Sequence, residues 1–169
     1  MLQSFSLPAL ATVNTLNVLE NPILNSFSVT GLTKADAIFI FGNDVLTTFS
    51  IPTIDFFREL LVLNNISLTT IALPQLDSCY SIRVENFSPA TALTSFSFPN
   101  VSVFHNDLMI KGALPSSEVN SILNKLITAL HPSSGHTITL TQTPLAPPTG
   151  QGLIDKATLI SMGNTVVTN

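Results

Sequence analysis

A chain of 169 residues, 45% apolar and only 9% charged, is long enough to bury one sizeable core, yet its surface has to be covered mainly by Ser, Thr and Asn. With 6 Lys+Arg against 10 Asp+Glu, a net charge of −4 and no basic cluster, it is a poor match for nucleic acid. No apolar run is long enough for a membrane-spanning helix, MLQSFSLPAL lacks the basic n-region of a signal peptide, and the single Cys79 excludes an intrachain disulfide.

Taken from the N-terminus, the chain repeats itself. Ser4-Phe5-Ser6 returns as Ser26-Phe27-Ser28, Thr48-Phe49-Ser50, Thr70-Ile71-Ala72 and Ser95-Phe96-Ser97, with central residues spaced by 22, 22, 22 and 25. Leu2, Leu24, Leu46, Leu68 and Leu93 keep the same beat three residues ahead of them. A fixed period of this length marks a solenoid, in which each coil buries its apolar face only against its neighbours. The expected fold is a β-rich solenoid of two-strand coils over 1–112, followed by a capping region over 113–169.

Each repeat resolves into three pieces. The first is a strand with alternate residues inward: Leu16 and Val18, Ile38 and Ile40, Leu60 and Val62, Ile82 and Val84. An asparagine follows at Asn21, Asn43 and Asn65, able to bond backbone groups of the coils above and below. In the fourth repeat Asn86 comes one place early and Phe87 takes the slot.

The second piece is the Ser/Thr-Phe-Ser strand. It sends Phe5 and Leu7, Phe27 and Val29, Phe49 and Ile51, and Phe96 and Phe98 inward, leaving an outward ladder of hydroxyls from Ser4 to Ser97. Pro8, Pro52, Pro74 and Pro99 end it. The third piece returns the chain with Leu10/Val13, Leu32/Ala35, Ile54/Phe57, Leu76/Cys79 and Val101/Phe104 inward. Cys79 is thus a buried filler of the core and not a nucleophile.

The pattern L-x-V-x-x-N-P-x-L-x-S-F-S, present as LNVLENPILNSFS, resembles the leucine-rich repeat in its BspA-like bacterial form, and also the two-strand repeats of receptor L-domains. The similarity covers residues 2–110 and implies a right-handed array that binds through repeated surfaces, with no catalytic motif. The remainder, LPSSEVNSILNKL, TITLTQ and APPTGQGLIDKATLISMGNTVVTN, resembles tails that close such arrays in bacterial and bacteriophage proteins. Their final motif is close to G-W-T-V-T-x-N; here Asn164 stands in place of Trp.

Read from its own residues, the tail begins with Ser116 or Ser117 as N-cap of a helix whose apolar stripe is Val119, Ile122, Leu123, Leu126 and Ile127. Pro132 and the Ser133-Ser134-Gly135 turn stop it, and a strand follows over 137–140. A Pro/Gly-rich loop over 145–152 leads to a short helix near 153–162, with Gly163 at its C′ position and a last strand at Thr165–Thr168. This tail closes one end of the core.

Two anomalies remain. At the other end Leu2, Phe5, Leu7, Leu10 and Val13 form an open face of the core. Gln3, Ser4 and nearby loops cover it, or the chain is a piece of something larger, or another protein chain covers it. On the first sheet, the outward positions are Asn17/Leu19, Phe39/Phe41 and Leu61/Leu63, then Arg83/Glu85. Strands apolar on both faces are normally covered. Either the register is off or a loop folds over the patch, or Leu19, Phe39, Phe41, Leu61 and Leu63 form a docking surface with Arg83 and Glu85 as rim charges.

Catalytic and metal chemistry finds no motif. His105, His131 and His136 lie in or near loops without Cys, Asp or Glu at zinc-ligand spacing, and are read as solvated. Asp44, Asp55, Asp77 and Asp107 lack the rhythm of a calcium loop, no G-x-S-x-G elbow organises the serines, and Gly150 and Gly152 precede no P-loop lysine. A glycan on the hydroxyl ladder is weakly supported, since Tyr80 is the sole tyrosine and Trp is absent. The expectation is a non-enzymatic protein-binding module without cofactor or metal. It is a structural or host-adsorption component of a bacteriophage virion, docking on other virion chains or on itself. The alternative is a fragment of a bacterial cell-surface adhesin or recognition protein, extracellular, binding a protein or glycan.

Overall fold

Phe5 lies in register with Phe27, Phe49 with Ile71, and Ile71 with Phe96, so the residues that mark the repeat do stack. The Phe5 and Phe27 rings are 5.1 Å apart and stacked, and the Phe27 and Phe49 centroids follow at 5.9 Å. The computed structural model describes residues 2–87 and 92–169 as a parallel β-solenoid of about five turns with two helices in its C-terminal part.

Short strands β1 (Ser4–Ser6), β3 (Ser26–Ser28), β5 (Thr48–Ser50), β7 (Thr70–Ala72) and β9 (Ser95–Ser97) carry the hydroxyl ladder. They form two sheets, β1-β3 and β5-β7-β9. Long strands β2 (Thr12–Leu19), β4 (Lys34–Phe41), β6 (Phe56–Leu63) and β8 (Ser78–Glu85) alternate with them along the chain. These stack in a larger parallel sheet, which continues through β11 (Leu108–Gly112), β12 (Thr137–Gln142) and β13 (Thr165–Thr168), with β10 (Val103–Phe104) also on β8.

The expected third piece of one repeat and first piece of the next therefore fuse into one eight-residue strand. Only in the fifth coil do they separate, as β10 and β11. Val13 and Leu16 both face inward with two residues between them, and Asn14, Asp36, Arg58 and Tyr80 drop out of the pairing at that bend. The skipped position is a bend repeated in register coil after coil, and it turns the strand around the core.

The core is the set of columns expected, with Leu24, Leu46, Phe49, Ile51, Ile54, Phe57, Ile38 and Leu60 fully buried. Leu7, on the inward side of β1 but at the open end of the core, is 44% exposed, as is Leu2, because no coil in the described residues stacks on that side of β1. An amide spine runs beside the core. Asn21, Asn43 and Asn65 each donate their backbone N–H to the side-chain oxygen one coil on, at Asn43, Asn65 and Asn86 respectively. Asn86 thus keeps the ladder despite its early place, and Phe87, expected in the slot, is 68% exposed. The first three coils insert a positive-φ residue at the corner, Glu20, Gly42 or Asn64, whereas β8 runs directly into Asn86.

In the C-terminal part, α1 (Ser116–Ala129) buries Val119, Ile122, Leu123, Leu126 and Ala129. Its N-cap is Pro115, without a side-chain bond, and the expected caps Ser116 and Ser117 lie inside the first turn. Gly152 opens α2 (Gln151–Ser161) and lets it approach α1, since a Cβ there would meet Asn120 Oδ1 at 1.9 Å. Gly163 sits at φ 94° after the helix, as its C′ position requires.

Candidate interaction surface

The register of the large sheet fixes which residues share its outward face. Asn17, Phe39, Leu61, Arg83 and Met109 form one row; Leu19, Phe41, Leu63, Glu85 and Lys111 form the next. The expected patch is thus brought together on three adjacent strands, with Leu19 at 45% exposure and Phe39, Phe41, Leu61 and Leu63 half-buried. Neighbouring side chains shield one another, but the outer surfaces of the row meet solvent. Ile23, Val45 and Ile66, at the corners that follow these strands, are also exposed and lie outside the expected set.

The charges beside the patch differ from expectation. Arg83 is half exposed, but Glu85 is buried, its side chain only 5% accessible. Arg83 pairs with Oε1, and Lys111 reaches Oε2 at 2.9 Å. Burial pushes the Glu85 carboxyl up, while the hydrogen bonds and charges of Lys111 and Arg83 outweigh it and hold the group below its ordinary value. Glu85 is therefore a clasp between β8 and β11, not a rim charge. Lys111, its second partner, comes 26 residues later and follows from no local signal.

A second feature lies at the bend of the long strands. Tyr80 is partly exposed and stacked on His105 with ring centroids 4.5 Å apart, Phe56 meets its edge, and Arg58 lies over its face at 5.3 Å. His105 in turn meets His131 edge-on. The three histidines are not the solvated trio expected. His136 is buried, its ring nitrogens against the carbonyls of Asn106 and Pro132. Repeat spacing could have signalled the Arg58–Tyr80 juxtaposition, since the two are one period apart.

Cys79 is fully buried, and desolvation pushes its thiol well above the usual range, as a core filler requires. Among the described residues no three His, Cys, Asp or Glu side chains are grouped to hold a metal ion, and no helix is long and apolar enough to cross a membrane. No family model, curated protein or solved structure matches the chain.

Proposed function

We propose that this chain is a non-enzymatic protein–protein interaction module, a structural or host-adsorption component of a bacteriophage virion that docks on other virion chains through the outward face of its large sheet. The observation that carries the reading is the apolar row Leu19, Phe41 and Leu63 beside Phe39 and Leu61, on a parallel sheet face that no other element of the described residues covers. Parallel sheets are ordinarily covered on both faces, and apolar patches of adjacent aromatic and leucine side chains are the usual centre of a protein interface. The resemblance of LNVLENPILNSFS to leucine-rich repeats, and of the tail to segments that close such arrays in bacterial and bacteriophage proteins, supports a binding module of this kind.

Phe41→Asp tests it. The ring is only half-buried, so circular dichroism should be unchanged, while size exclusion coupled to light scattering should show weakened co-assembly with the other virion chains. An unchanged complex with those chains counts against the patch.

One observation favours the alternative, a cell-surface adhesin or recognition fragment. Tyr80, 39% exposed between His105 and Arg58, gives the surface an aromatic and cationic cluster beside which a glycan can bind. Binding of a glycan by the isolated domain, lost in Tyr80→Ala, would favour it over the virion reading.

A further inference from the structure

The amide spine has a direction. Asn43 Nδ2 donates to the carbonyl of Val18, Asn65 Nδ2 to that of Ile40 and Gln142 Nε2 to that of Ile110, always one coil back. Each side-chain oxygen likewise accepts an N–H from the coil before it. Asn21 begins the series. Its Nδ2 reaches only the Leu19 carbonyl, and among the described residues its Oδ1 accepts nothing. The group is aimed at a preceding coil, next to the unpaired outer edge of β2.

The other end of the sheet offers the matching half. Val18, Ile40, Val62, Val84, Ile110, Leu140 and Thr168 occupy one register column, so the Thr168 backbone on the free edge of β13 stands where Asn21 needs a carbonyl. Beside β13, α2 is turned inside out. Gly152, Asp155 and Leu159 face the interior, and Asp155 bonds Asn124 and Gln151. The opposite face presents Leu153, Ile154 and Ile160, which are 48–59% exposed. The C-terminal part caps the core, but unlike a polar terminal repeat it leaves this apolar stripe pointing away from α1.

We infer that copies of this chain stack head to tail, β13 and the outer face of α2 of one copy meeting β2 and the open Leu2, Phe5 and Leu7 end of the next. All strand pairings are parallel, so only a head-to-tail contact extends the sheet and gives the Asn21 amide a carbonyl of the right column. A two-fold contact of β2 with β2 is antiparallel and loses that register. The interface is heterologous, generating rings or open filaments of copies. It leaves the outward face of the sheet untouched, so this inference stands or falls apart from the docking reading above.

Two exposed positions allow a decisive test: Leu7→Arg blocks the N-terminal end and Ile154→Arg blocks the C-terminal end, both with circular dichroism unchanged. Light scattering should find the unaltered chain in multimers of 18.1 kDa units, each variant alone as a monomer, and their equimolar mixture as a dimer that grows no further. Asn21→Ala should weaken the unaltered chain's association roughly tenfold. A monomeric unaltered chain, a singly blocked variant that pairs with itself, or a mixture that stays monomeric would each overturn the inference.

Discussion

Asn65 Nδ2 donates to the carbonyl of Ile40, 25 residues upstream, at 2.9 Å, and the same side chain's oxygen accepts the backbone N–H of Asn43 at 3.1 Å. One buried side chain thus satisfies two backbone groups of the preceding coil's corner that the parallel ladder leaves open.

Asn65→Ala should cost about 2–4 kcal/mol in urea unfolding, because it orphans at least two buried backbone groups at roughly 1–3 kcal/mol each. Asn21→Ala, at the solvent-facing end of the spine, should cost the monomer less than about 1 kcal/mol. Equal losses at the two positions would mean that the spine does not carry the stability assigned to it.

Phe49→Ala removes a fully buried ring between Phe27 and Ile71 and should cost about 3–5 kcal/mol. Thermal unfolding by circular dichroism would show a lower midpoint or no folded baseline. Phe5→Ala, on a partly buried ring at the end of the column, should cost markedly less.

These two features were legible because a period of 22 residues puts like residues in register, and alternation then decides which side faces in. What the sequence did not disclose depends on partners that lie off the period. Glu85 appears as an outward charge until β11 brings Lys111 beside it. The stripe of Leu153, Ile154 and Ile160 has helical spacing and invites assignment to the core. Gly152 and Asp155 take the packed side instead, because close approach to α1 needs a missing side chain and a carboxylate to meet Asn124. Likewise Asn86 comes one place early because the fourth coil lacks the positive-φ corner residue that Glu20, Gly42 and Asn64 supply in the others.

The Glu85 clasp makes stability depend on pH. A carboxyl whose folded-state value is lowered contributes stability above its unfolded value, and loses it as pH falls through the folded one. The melting temperature of the unaltered chain should therefore exceed that of Glu85→Gln at neutral pH, and the gap should narrow below pH ~4 as the carboxyl protonates. A gap independent of pH would rule out the charged clasp.

Gly31→Ala places a Cβ 2.4 Å from the Pro8 carbonyl oxygen, a backbone atom that yields only if the first coil shifts. Overpacking of this kind should cost about 1–3 kcal/mol, and hydrogen exchange should rise first in β1 and β3, leaving β6 and β8 protected.

The central claim is that the outward face of the large sheet is a surface meant to be covered. Hydroxyl-radical footprinting of Phe39, Phe41, Leu61 and Leu63, compared between the chain alone and the chain bound to the other virion chains, addresses this directly. The account predicts strong protection of these four side chains on assembly, while residues of the Ser/Thr ladder keep their reactivity. Equal labelling of the four in both states would contradict it.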